Sequence, residues 1–217
     1  MAEERVRDSE ATQAAVLRAA ELLFAENGFA ATSIRDISQA SGVSHPLILH
    51  HFGSKGDLYA AVKRRLIEDY ARRFPNATKN ANRPLNIRAE LRRILKYIGG
   101  NPMMFRLAAR TRLEGDNQIW PGEPAVLDML TRRIAFSQKR KLIRDDVSPE
   151  HLSIMLLGMI YFWLEWREHI GQRFGDRVDE AAYLRQAAAI LERGTAYGAA
   201  LDPSEQMKIA VNENQRR

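Results

Sequence analysis

Residues 42–52, GVSHPLILHHF, hold three of the chain's five histidines, interleaved with leucines. A helix that merely faces water carries Lys and Glu; this one would present imidazole and apolar groups. Imidazole N–H groups donate hydrogen bonds to phosphate or to base edges, and an exposed leucine can pack on a thymine methyl. That is the chemistry of a short helix offered to the major groove of DNA. Other chemistries find less support. His50 and His51 are adjacent and point to different sides of a helix, so they form no chelate. Glu165 and His169 stand at i, i+4, but two residues without others make no metal site. The chain has no GxSxG, P-loop or HExxH pattern, so no catalytic residue, cofactor or metal is expected.

Three short helices must hold such a face. Gly28 follows an amphipathic run (Val16, Leu17, Ala20, Leu23, Phe24) and is placed to end it with a left-handed cap. Ser33 and Asp36 have capping-box spacing, so a second helix starts at Thr32 or Ser33, with Ile34 and Ile37 on its apolar side. Gly42 sits where a turn needs φ > 0, and Ser38 is small enough to let the next helix cross closely. Ser44 can cap that helix, and Pro46 is tolerated in its first turn because those N–H groups have no intrahelical partner. Ile48 points to the core. Gly53 ends the helix, and Ser54 with Asp57 starts another, with Lys55 beside its positive end. Each device alone also occurs in ordinary helical hairpins.

Taken in register, the block resembles the DNA-binding domain of the TetR family of transcriptional regulators. Gly28-Phe29, Thr32-Ser33-Ile34, Asp36-Ile37, Gly42-Val43-Ser44, His50-His51-Phe52 and Ser54-Lys55 with Leu58 carry the resemblance without a gap. It implies contacts to DNA from Thr32, Ser33, Arg35, Ser44, His45, Pro46, Leu47, Leu49, His50, His51 and Lys55. Leu47 and Leu49 depart from the family, which usually has Thr or Ser at the first position and Tyr or Phe at the second. The departures remove hydrogen-bonding groups, so no operator sequence carries over.

Charge is a poor guide here. The net +6 lies entirely in residues 75–217; residues 1–74 hold ten basic and ten acidic side chains. The basic runs 83–96 and 132–144 read as solvated helix faces. The chain lacks cysteine, which excludes disulfides and fits a reducing, cytoplasmic setting. Residues 1–10 are charged and have no apolar core, so no secretory signal is expected. The longest apolar run, 152–164, is short of the about 20 residues a membrane span needs.

Beyond the motif, the spacing predicts helices over residues 10–27, 54–74, 86–98, 102–113, 125–143, 149–170 and 178–200, with a polar linker at 75–85. The expected fold is all-α with about nine helices. Residues 1–57 form the helix-turn-helix domain, 58–202 an effector-binding and dimerisation domain, and 203–217 a polar tail. The helix at 149–170 is apolar on nearly every side, which calls for a partner on each. With the alanine-rich last helix it suggests a four-helix dimer interface, using Leu157, Ile160, Ala181 and Ala188. The resemblance implies an apolar effector pocket in this part, with Met103, Arg106, Trp120, Met129, Met159, Tyr161, Phe162 and Trp163 as candidates. Arg106 and Arg110 can meet an anionic group, or pair with Glu114 at the surface. The expectation is a homodimeric repressor that leaves a palindromic double-stranded operator when a small molecule binds. An activator, an effector-independent regulator, or a ligand carrier that does not bind DNA are the alternatives.

Overall fold

A computed structural model of the chain describes residues 2–75 and 80–197. The described residues form nine α-helices and no strand; an isolated bridge pairs Ile143 with Ala196. The helices are α1 (Ala2–Ala31), α2 (Ile34–Ser41), α3 (His45–Phe52), α4 (Lys55–Arg73), α5 (Ile87–Gly99), α6 (Pro102–Leu113), α7 (Glu123–Lys139), α8 (Pro149–Phe174) and α9 (Glu180–Gly194). A 3-10 turn (Gly175–Arg177) joins the last two. None is long and apolar enough to cross a membrane.

The predicted helices are present, with shifted ends. The first begins at Ala2 rather than near residue 10, because the charged residues before Val16 are adequate helix formers that carry no apolar period. It is broken at Gly28 (φ 85°, ψ 174°), which is an extended mirror-image conformation and not the left-handed cap expected. The helix α9 ends at Gly194. Part of the expected linker (76–79) and the tail at 203–217 lie outside the described residues.

The chain divides into two compact units, Met1–Asn80 with Ile94–Met129, and Ala81–Arg93 with Leu130–Arg217. These do not coincide with segments 1–57 and 58–202, since α4 and residues 94–129 group with the helix-turn-helix. In the first unit, Val16, Ala20, Phe24, Ile37, Ile48, Leu58 and Val62 are buried. They come from all four N-terminal helices, one side of each. Around them Phe24 meets Tyr59 edge-on at 4.8 Å, and Phe29 lies 4.9 Å from the same ring.

In the second unit Leu91, Ile134, Leu152, Leu156, Ile160 and Ala188 form the core. A charged group lies among them: Glu90 (3% exposed) accepts from Arg133 at 3.0 Å, and Arg93 approaches the same carboxylate. Those two arginines are therefore not the solvated face expected of the basic runs. A buried carboxylate needs its counter-charges, and removing one costs several kcal/mol, on the order of 3–5.

Candidate nucleic-acid interface

The start of α2 is built from its own side chains. Ser33 accepts from the Asp36 N–H at 3.2 Å, and the Asp36 carboxylate takes the Ser33 N–H at 2.8 Å and its hydroxyl at 2.6 Å. These bonds hold the Asp36 carboxyl below its ordinary range. At the other end the Gly42 N–H closes on Ser38 O at 3.0 Å with Gly42 in the left-handed region (φ 70°, ψ 9°), and the Ser38 hydroxyl donates to Val43 O at 2.6 Å. The turn is thus fixed by one positive-φ residue and one serine.

Helix α3 leaves that turn with Ser44 at its N-cap position and Pro46 in its first turn; the Ser44 side chain makes no cap bond, contrary to expectation. Ile48 is fully buried and fixes the rotation of the helix. At about 100° per residue, Pro46 and His50 then stand about 160° from Ile48, with Leu47 and Leu49 about 100° to either side. The surface agrees: His45, Pro46 and His50 are exposed, and Leu47 and Leu49 are 40% and 37% exposed. His51 is half-buried, its Nδ1 3.5 Å from Gln13 Nε2. Arg35 of α2 is exposed as well.

Three expected DNA contacts are engaged within the protein. Thr32 is 1% exposed, and its hydroxyl faces the carbonyls of Gly28 at 2.8 Å and Leu23 at 3.2 Å. This corrects its assignment: the group caps the end of α1 and has no path to phosphate. Ser33 is exposed but its hydroxyl is committed to Asp36. Lys55, at the start of α4, donates from Nζ to Phe29 O at 2.9 Å and lies 4.2 Å from the centre of the Phe29 ring. Its ammonium keeps further N–H donors for a phosphate.

Sequence reasoning missed the segment that follows α6. Arg110 donates to Glu26 O at 2.7 Å, the Phe29 N–H donates to Glu114 Oε2 at 3.0 Å, and Lys63 pairs with Asp116 at 2.6 Å. The surface pairing of Arg106 or Arg110 with Glu114 is thus replaced by contacts to α1. Lys63 is 4% exposed and lies over the Tyr59 ring at 4.3 Å and near Trp120 at 5.9 Å. Partial desolvation pushes the Asp116 carboxyl up, but the Lys63 bond and the Gln118 N–H outweigh it, so Asp116 is held below the ordinary range. Burial, with Asp116 and Glu114 nearby, pushes the Tyr59 phenol upward.

The effector candidates are distributed between the units: Met103, Arg106, Trp120 and Met129 in the first, Met159, Tyr161, Phe162 and Trp163 in the second. Arg106 opens onto a cleft of about 330 Å³ lined also by Ala25, Glu26, Ala109, Arg110 and Leu113. Trp163 is buried, stacked on Tyr183 at 4.6 Å. Phe162 is 54% exposed and stacked on Trp166, so it lines no interior.

Two of the four dimer candidates are corrected in the same way. Ile160 and Ala188 are 0% exposed and have no surface to offer a second chain. Leu157 is half-buried and Ala181 exposed. The outward apolar stripe of α8 is instead Ile154, Met155, Phe162 and Trp166, 46–65% exposed, with Ile190 of α9 at 66%.

A left-handed glycine turn between two short helices, with the second helix inserted by one isoleucine and offering its remaining faces to solvent, defines a helix-turn-helix DNA-binding protein. Comparison with known proteins agrees. The profile of bacterial regulatory proteins of the tetR family matches residues 16–62. The chain is 30% identical over 150 residues to the HTH-type transcriptional repressor AcnR of Corynebacterium efficiens, covering 65% of this chain and 73% of that one. It is 29% identical over 156 residues to the HTH-type transcriptional repressor SCO4008 of Streptomyces coelicolor, covering 70% and 78%. The HTH-type transcriptional repressor Rv3405c of Mycobacterium tuberculosis is 57% identical over 53 residues, 24% of this chain and 28% of that one. Among solved structures, SCO4942 of Streptomyces coelicolor superposes with a TM-score of 0.68 at 18% identity, covering 86% and 99%. Salmonella enterica GusR does so at 0.62 and 23%, covering 83% and 93%. The chain belongs to the TetR family and is a DNA-binding transcriptional regulator.

Proposed function

We propose that the protein is a dimeric, cytoplasmic repressor that lays α3 of each subunit in successive major grooves of a palindromic operator. The outward face of α3 carries this reading: His45, Pro46, Leu47, Leu49 and His50 are exposed around a single buried anchor, Ile48. The histidines supply hydrogen bonds to phosphate or base edges, and the leucines pack on thymine methyls. Arg35 and Ser44 flank this face, and Lys55 offers its remaining N–H donors to the DNA backbone.

Dimerisation is supported by the exposed stripe of α8 and Ile190 of α9, since several large apolar side chains on neighbouring helical surfaces otherwise stay in water. Two α3 helices fit one duplex only near one helical repeat of spacing, about 34–36 Å. A small molecule that favours another spacing therefore lowers operator affinity by its differential affinity for the two states. The cleft lined by Arg106, Arg110 and Glu26 is the candidate place for such a molecule. Several relatives are named as repressors, which favours repression over activation.

The experiment is nuclease protection across the DNA flanking the gene, with transcription of the neighbouring genes measured with and without the protein. Repression requires a protected inverted repeat and higher transcription when the protein is absent. Lower transcription in its absence would favour an activator.

A further inference from the structure

Gly28 has φ 85° and ψ 174°, a region open essentially to glycine alone. Its missing side chain has a second consequence. A Cβ built there would stand 1.7 Å from Glu114 Oε1, so the bare glycine leaves the space in which that carboxylate lies. From that position Glu114 accepts the N–H of Phe29, 85 residues earlier, at 3.0 Å. The carbonyl of the same residue accepts from Lys55 Nζ at 2.9 Å, and its ring lies under that ammonium and against Tyr59. Both polar groups of one peptide residue are thus held by side chains, at the joint between α1 and α2. Arg110, one helical turn before Glu114, holds Glu26 O near the same joint.

We propose that Glu114 is a positioning residue for DNA binding: by fixing the Phe29 amide it sets the direction in which α2 and α3 leave α1. The proposal rests on α3 being the helix that reads DNA. The chemistry needed at position 114 is an acceptor oxygen of the right reach and not a negative charge as such, because the partner is a neutral N–H. Losing the acceptor releases the joint without touching any group that faces DNA. The free block then samples orientations of α3, and the operator must select one of them. Sequence-specific contacts depend on that orientation, whereas phosphate attraction tolerates its loss.

The test compares full-length wild type, Glu114→Ala and Glu114→Gln on two duplexes: one that wild type selects from a random-sequence library, and a shuffled version of it. Amide hydrogen exchange at Phe29 and thermal stability are followed in parallel. Glu114→Ala is expected to bind the selected duplex about threefold to tenfold more weakly, the equivalent of one hydrogen bond. Its affinity for the shuffled duplex stays within about twofold, and its Phe29 amide exchanges faster. Glu114→Gln, which keeps an acceptor oxygen, is expected to restore both the selected-duplex affinity and the slow exchange of the Phe29 amide. Equal losses on both duplexes together with a lower melting temperature would reduce Glu114 to a structural residue and overturn the proposal. Unchanged selected-duplex affinity in Glu114→Ala, or an unchanged Phe29 amide, would overturn it as well. A variant carrying His45→Ala, Leu47→Ala and His50→Ala together, made alongside, separates the two levels: if it is neutral on the selected duplex, α3 is not the reading helix and the proposal falls with that premise.

Discussion

Substitution at Gly42 isolates what the turn requires. Gly42 is left-handed (φ 70°), and a Cβ built on it meets nothing within 4 Å. The cost of a side chain there is therefore local, between its Cβ and the adjoining backbone, with no clash of that Cβ against the rest of the protein. For an ordinary L-residue the left-handed region costs about 1–2 kcal/mol, Asn tolerates it better, and β-branched residues worst. The series Gly42→Asn, Gly42→Ala, Gly42→Leu, Gly42→Val should thus rank Asn mildest, Ala and Leu alike, and Val most severe at about 2 kcal/mol or more. A domain of this size loses about 2–4 °C of melting temperature per kcal/mol. Where the turn relaxes instead of bearing the strain, α3 reorients, and affinity for a selected duplex falls by up to about tenfold for each 1.4 kcal/mol. The assay is thermal unfolding of each variant, with fluorescence anisotropy on labelled duplex and gel filtration to confirm that the assembly is unchanged. A Leu variant far less stable than Ala would refute the reasoning, because size would then matter at a position with open space. A Val variant as stable as the parent would refute it from the other side.

Replacing thymines by deoxyuridines in a selected duplex removes only the 5-methyl groups. Where Leu47 or Leu49 packs on one, affinity should fall about fourfold per methyl, and Leu47→Ala should abolish that sensitivity at its own positions; undiminished sensitivity in both Leu47→Ala and Leu49→Ala would show that these leucines do not read methyls. Ile154→Arg and Phe162→Arg should give folded monomers, whereas Ile160→Arg, fully buried within its unit, should unfold the chain; folded dimers from the first two variants would remove the α8 stripe from the interface. Asp116 is held below its ordinary range, so the stability it lends through Lys63 is present above the unfolded carboxylate range and is lost as the pH falls through the lowered value. Thermal unfolding between about pH 7 and 3 should therefore depend less on pH in Asp116→Asn; identical profiles would count against the pairing.

The parts of this account legible in the sequence are those fixed by neighbours within a turn or two. The Ser33–Asp36 box, the Gly42 turn and the burial of Ile48 follow from local spacing, and each is present. The rotation of α8 was not legible, because a helix apolar on all sides carries no phase. Ile160 and Ile154 are chemically equal, yet one is fully buried and the other 65% exposed. The role of Thr32 was concealed by its type, since a hydroxyl that caps a carbonyl and one that meets phosphate look alike in sequence. Glu114 gave no signal: its partner is a backbone N–H 85 residues away, and backbone groups are invisible to side-chain pattern. Lys63 was hidden beside Arg64 and Arg65, while it alone of the three is buried.

The central claim is that the exposed face of α3 reads DNA. The most direct measurement is affinity for a wild-type-selected duplex, against its shuffled counterpart, in a variant carrying His45→Ala, Leu47→Ala and His50→Ala together. All three side chains are exposed and Ile48 is untouched, so folding and assembly should persist. The variant is expected to bind both duplexes equally and weakly. Undiminished preference for the selected sequence, in a variant of unaltered melting temperature and size, would contradict it.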